Sequence, residues 1–193
     1  MNEDLMGFSQ KINDPSYERY RKASKKWSYI FSLILAVIAI IAFPIYGSIS
    51  GDIDFPYSLF YGLGIGGIFV LIALLQDLKG RKDATWEGKV IGKNVYDRTQ
   101  VKRYGNRNKT VHYKLYVLKV MRENGKVYTH KFVDNSVVFD YYDVGDRLKH
   151  HKGFIMYEKY DKSKDSKILC IACGTFNDIK EQNCYRCKVP LLK

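Results

Sequence analysis

Two long apolar runs divide the chain into regions of different pattern. Trp27 to Tyr46 reads WSYIFSLILAVIAIIAFPIY, 20 residues without a charge. At about 1.5 Å per residue, a helix of that length spans roughly 30 Å, the hydrocarbon thickness of a bilayer. Phe55 to Leu75 reads FPYSLFYGLGIGGIFVLIALL and is uncharged too. The pattern predicts a transmembrane helical hairpin over 27–76. A signal peptide does not account for the first run, which is too long and lacks a small-residue cleavage site before the second run begins. Small residues mark one face of each span: Gly62 and Gly66 in one, Ala36, Ala39 and Ala42 in the other. Such residues let helix backbones approach closely in lipid. The two helices are expected to pack on each other, with homodimerisation through the same face as the alternative. Upstream, Asp14-Pro15 reads as a helix start, and Glu18 and Lys22 form an i, i+4 pair. Residues 1–26 are therefore read as an N-terminal segment whose juxtamembrane helix, 15–26, runs on into the first span.

Beyond the spans the period changes. Over 84–160 the chain alternates in short stretches. Thr85 to Lys93 has Trp86 and Val90 on one side, and Val111 to Met121 alternates well. Asn124-Gly125 is the signal of a tight hairpin turn leading into a return strand, Val127 to Val133. Asp134-Asn135-Ser136 can cap a helical turn over 137–142. Gly145-Asp146 turns into a strand over Arg147 to His151, and a last strand follows over Gly153 to Tyr160. The basic stretch from Arg98 to Lys109 reads as a loop or open hairpin. Five or six short strands in this space predict a small β module, barrel-like with an OB-like or SH3-like shape. Its aromatic residues are read mainly as core, with base stacking as the alternative. Residues 161–167 (DKSKDSK) are charged, lack apolar residues and read as a flexible or extended linker. The fold class expected is thus an α+β membrane protein: hairpin, β module and a short C-terminal ribbon over 168–193.

Charge adds direction. The chain carries a formal +12, and residues 76–193 alone hold 26 Lys and Arg against 14 acids. The loop between the spans (GSISGDID) carries only Asp52 and Asp54. Lys22, Lys25 and Lys26 precede the first span, and Lys79, Arg81 and Lys82 follow the second. Positive residues stay on the cytoplasmic side. The expected location is the cell (inner) membrane, multi-pass, with both termini cytoplasmic. A basic module also calls for an anionic neighbour, lipid or nucleic acid. The contacts expected are Lys102, Arg103, Arg107 and Lys109 in the basic stretch.

The chemistry lies at the C-terminal end. All four cysteines of the chain fall there, as Cys170-x-x-Cys173 and Cys184-x-x-Cys187. Each pair can point two thiolates at one metal, and two such knuckles complete a tetrahedral site that suits Zn²⁺. Four protein ligands leave no open position, so the zinc expected is structural. A reduced thiol site also suits the cytosol, whereas disulfides would require the opposite topology. His150-His151 does not add a second site, because adjacent strand residues face opposite sides. Gly62 to Gly67 lies inside a span with no strand before it and is not a nucleotide loop. No nucleophile elbow and no His-Glu-x-x-His motif occurs, and no enzyme activity is expected.

Cys170, Cys173, Gly174, Asn177, Cys184, Cys187, Pro190 and Leu191 together resemble the short C-terminal zinc ribbons of bacterial proteins. Lys188 departs from that pattern, which usually repeats Gly there. The spacing is also similar to a eukaryotic zinc-finger family with RNA- or ubiquitin-binding members, which usually carries Trp two residues before the first Cys, where this chain has Ile168. More loosely, the order of spans, a Trp-x-Gly-x-Val strand entry at Trp86, a Val-Gly-Asp turn at Val144 and a terminal ribbon resembles bacterial two-pass membrane proteins of uncharacterised function. That likeness implies architecture and no activity. The function expected is a non-enzymatic docking or scaffold module at the cytoplasmic face, with a protein partner. A membrane-associated RNA-binding protein and an auxiliary subunit of a transporter or membrane protease are the alternatives.

Overall fold

The computed structural model describes residues 5–105 and 107–193, apart from the side chains of Lys79, Arg81 and Tyr104. Residues 1–4, Asn106 in the basic stretch, and the Lys79 and Arg81 side chains expected to flank the second span lie outside that description. The chain forms two units, Pro15–Asp83 on one hand and Met1–Asp14 with Ala84–Lys193 on the other.

The first unit is a helical hairpin. Helix α1, Pro15–Ser50, opens on Pro15 and absorbs the expected juxtamembrane helix and first span into 36 continuous residues. Glu18 and Lys22 pair at 2.7 Å. Helix α2 covers Tyr57–Arg81. Both helices are long and apolar enough to cross a membrane. Their contact face is built from the small residues. Ala36 and Ala39 are buried. A Cβ placed on Gly62 would lie 2.9 Å from the Ala39 carbonyl oxygen, and one on Gly66 would lie 3.1 Å from that of Ala36. Ser32 Oγ donates to the Phe69 carbonyl at 2.6 Å across the same seam. Leu33, Ile38, Ile41, Phe60, Leu63 and Leu71 point outward and are exposed. A hairpin with small residues inside and large apolar residues outside is the arrangement lipid favours.

The second unit is built on an antiparallel sheet. Its strands are β1 (Trp86–Tyr104), β2 (Arg107–Arg122), β3 (Val127–Val133), β4 (Arg147–His150) and β5 (Tyr157–Lys159), in the order β3-β2-β1-β4-β5. The sheet is open, which corrects the expected barrel. Closure would require β3 to meet β5, and β4 and β5 have only 4 and 3 residues. The core face is covered instead by helix α3 (Ser136–Asp140) and by residues of the C-terminal ribbon. Val90, Leu118, Val120, Phe132, Phe139, Tyr142, Leu148, Tyr157 and Leu169 form the buried cluster. Asn135 caps α3 by accepting the Val138 N–H at 3.2 Å. Gly125, at φ 77°, makes the turn between β2 and β3. Tyr116 packs on Phe139 with ring centroids 5.1 Å apart, and Lys93 sets its ammonium 4.4 Å above the same ring.

Residues 5–14 belong to this unit and form a strap held against residues 158–162. Met6 bridges Asp161, the Gly7 N–H donates to the Tyr160 carbonyl at 2.8 Å, and the Lys162 N–H donates to the Leu5 carbonyl at 2.9 Å. Beneath the strap lies a buried polar group. Glu158, 2 % exposed, accepts from the Ser9 N–H at 2.6 Å, Lys162 Nζ at 3.3 Å and His151 Nε2 at 2.7 Å. Lys162 Nζ also donates to the Gly7 carbonyl at 2.8 Å. The charged run 161–167 is accordingly pinned: Lys162 is 1 % exposed, and Asp165 pairs with Lys159 at 3.0 Å.

Candidate metal centre

The ribbon begins with a two-stranded sheet, β6 (Lys167–Leu169) paired with β7 (Phe176–Asp178). Cys170 leaves β6 directly, and the chain then makes two similar turns. In the first, the Gly174 N–H donates to the Cys170 carbonyl at 2.9 Å and the Cys170 N–H to the Thr175 carbonyl at 3.0 Å. In the second, the Lys188 N–H donates to the Cys184 carbonyl at 2.9 Å and the Cys184 N–H to the Val189 carbonyl at 2.8 Å. The fifth residue of each knuckle is left-handed: Gly174 at φ 70° and Lys188 at φ 62°. Lys188 thus adopts the glycine conformation without being glycine, and the second knuckle keeps the geometry of the first.

The knuckles bring the four thiols together. The four Sγ atoms lie within 4.8 Å of one another, with Cys170–Cys187 and Cys173–Cys184 both at 3.6 Å. All four cysteines are free of disulfides. Zinc–sulfur bonds of about 2.3 Å in a tetrahedron place sulfurs about 3.8 Å apart. The cluster therefore matches the size of such a site. Cys170 and Cys184 are buried, while Cys173 and Cys187 are half-buried.

The electrostatics of the thiols are uneven. Burial pushes the Cys170 thiol up. At Cys184 burial acts in the same direction, but the N–H groups of Cys187 and Arg186 and the neighbouring thiols outweigh it and bring the pKa down to about 7. Cys187 is raised to about 11, with burial the main cause. A cluster of this kind cannot ionise fully by itself, because each thiolate opposes the next. A bound cation removes that opposition.

Asn177 ties the knuckles to each other. Its Nδ2 donates to the Thr175 carbonyl at 2.9 Å, and its Oδ1 accepts the Tyr185 N–H at 2.9 Å. Thr175 Oγ1 lies 3.3 Å from Cys173 Sγ, a sulfur contact that the cysteine spacing does not reveal. Ile168, Ile171, Val189, Leu191 and Leu192 are buried around the site.

The other candidate residues are elsewhere. Lys102, Arg103, Arg107 and Lys109 are exposed near the tip of the β1–β2 hairpin, where Lys102 is the register partner of Lys109. The stretch read as a loop or open hairpin is thus a regular ribbon. His150 ends β4, His151 lies just past it, and the two have different partners. His150 packs 5.3 Å from Trp86 and 6.0 Å from Tyr157, whereas His151 pairs with Glu158. No known protein family, curated protein or solved structure matches this chain.

Proposed function

We propose that this chain is a two-pass protein of the cell membrane whose cytoplasmic unit is a non-enzymatic docking module, stabilised by Zn²⁺ at Cys170, Cys173, Cys184 and Cys187. The observation that carries the reading is the closure of the thiol cluster: four sulfurs at the spacing of a tetrahedron. A metal with four protein ligands has no position for water or substrate, so it holds the ribbon in shape and performs no reaction. The ribbon in turn contributes Leu169 and Phe176 to the packing of the sheet. The metal then stabilises the module as a whole.

Connectivity supports the two-pass topology. Residues 5–14 precede the hairpin and 84–193 follow it, yet they form one unit. A hairpin that crosses the bilayer twice returns the chain to the side it left. The basic flanks, the acidic loop and the free thiols favour the cytoplasm for that side. The module would serve a protein partner brought to the membrane surface. A reporter active only in the cytoplasm is expected to work at either end of the chain. A Ser48→Cys variant is expected to react with an impermeant thiol reagent added outside intact cells. Labelling of a tag placed after Lys193 from outside would overturn the orientation. Crosslinking in membranes followed by capture should then recover one membrane-localised partner.

A further inference from the structure

The β1–β2 hairpin outgrows its sheet. Strand β4 pairs with β1 only over Trp86–Lys89, and β3 pairs with β2 only over Leu115–Met121. Asp97–Tyr104 and Arg107–Lys114 therefore form a two-stranded arm whose outer edges pair with no further strand, and at its base Lys114 is tied to Asp134, the Lys114 N–H donating to Asp134 Oδ1 at 2.8 Å and the Asp134 N–H to the Lys114 carbonyl at 2.9 Å. Eight residues at about 3.3 Å each make it roughly 26 Å long. Among its described residues the arm adds none to the buried core.

Its charge is sorted by face. The register runs without irregularity from Gly92 to Tyr104, so partners share a face and alternate along the arm. Arg98, Gln100 and Lys102, with their partners Tyr113, Val111 and Lys109, lie on one face, as does Arg107. That face holds four cations and no acid. The opposite face holds Arg103 and Lys114 with Asp97 as the register partner of Lys114. All four cations of the first face are exposed. None pairs with a carboxylate among the described residues. Lys102 and Lys109 stand directly opposite each other, an arrangement that is unfavourable by itself and calls for an external anion.

We infer that this face of the arm lies on a bilayer leaflet and binds anionic phospholipid headgroups. The inference rests on the membrane reading proposed above. One-sided charge suits a flat anionic surface. A ribbon seated in a nucleic-acid groove meets phosphates along two rails and needs cations toward both. On the membrane reading, the chain's two candidate spans supply the leaflet. The arm would then set the orientation of the docking module against the membrane, and the composition of the leaflet would regulate it.

The test uses the full chain reconstituted in vesicles of zwitterionic lipid with or without phosphatidylglycerol, a fraction of the lipids carrying a nitroxide on the headgroup. Gln100→Trp reports from the basic face and Thr99→Trp from the other, each read as the difference from the parent. Position 100 is expected to be quenched more than position 99 in anionic vesicles and not in zwitterionic ones. The difference should vanish at 1 M salt, where the screening length falls to about 3 Å from about 10 Å at 0.1 M. It should also vanish in the double variant Lys102→Glu, Lys109→Glu. Equal quenching at both positions, or none in anionic vesicles, would overturn the inference. So would tight RNA binding by these cations with the arm unquenched, which would assign the face to nucleic acid. Alkaline extraction of the same vesicles separates the two levels. A chain that stays embedded with position 100 unquenched refutes the arm alone, whereas a chain released by alkali refutes the membrane reading and this inference with it.

Discussion

Replacing Lys188 by glycine should stabilise the ribbon. Lys188 sits at φ 62°, in the same turn position that Gly174 occupies at φ 70°. A left-handed conformation costs a residue with a Cβ roughly 1–2 kcal/mol. Glycine escapes that cost but brings about 0.5–1 kcal/mol of extra backbone entropy in the unfolded chain. The difference leaves a net gain of about 0.5–1 kcal/mol. The Lys188 side chain is exposed and has no partner among the described residues, so little is lost with it. A metal held by this ribbon, as proposed, would bind in step with its folding, so the gain should appear in metal retention. The free-chelator concentration that strips half the zinc should rise about 2- to 5-fold in Lys188→Gly, since about 1.4 kcal/mol corresponds to a factor of ten. Gly174→Ala, at the matching position, should move it the other way. There a Cβ would find Met156 Cε at 3.4 Å, a tolerable contact, so the change would report backbone strain rather than a clash. Weaker zinc retention in Lys188→Gly would refute the equivalence of the two knuckles.

Three further perturbations address the rest of the molecule. Glu158→Gln should cost about 3 kcal/mol, because it leaves the buried Lys162 ammonium without its carboxylate, and limited proteolysis should then open the 5–14 strap before the sheet unfolds. Gly62→Leu should weaken the hairpin by about 1–3 kcal/mol through overpacking, measured as loss of energy transfer between probes on the two helices in detergent; Gly64→Ala, with no atom within 4 Å of its Cβ, should leave it unchanged. Burial, aided by the nearby His150, holds the His130 pKa below 6.5. The unfolded chain therefore binds more protons in that window, and stability should fall as pH drops through 6.5 toward the folded value; His130→Gln should flatten that part of the thermal-melting profile.

The parts of this molecule that were legible in the sequence are those whose signal is local. Metal ligation needs two thiols three residues apart, and both pairs stand in the chain as written. The hairpin follows from two uncharged runs, and its contact face from the positions of Ala36, Ala39, Gly62 and Gly66. In the sheet, Asn124-Gly125 marks the turn between β2 and β3 because the left-handed residue there must be cheap. The strap was not legible. Residues 5–13 have no period, and their anchor, the Ser9–Glu158 hydrogen bond, joins positions 149 apart. A charged stretch such as 161–167 reads as solvated because nothing in the sequence announces that Lys162 will find Glu158 in the interior. The basic stretch from Arg98 to Lys109 left loop and open hairpin undecided for a related reason: its described residues are exposed on both faces, so no alternation of burial marks the strands, only cross-strand pairing. The open sheet was read as a barrel because strand count is visible in sequence, whereas the pairing of the two end strands is not.

The central claim is a closed four-sulfur metal site, and X-ray absorption at the zinc edge of freshly purified full-length protein tests it most directly. The expected result is about one zinc per chain with four sulfur neighbours at about 2.3 Å and no lighter ligand in the shell. A shell with an oxygen or nitrogen in place of a sulfur would contradict closure and reopen the site to chemistry. Protein that carries no zinc under these conditions would contradict the metal centre itself.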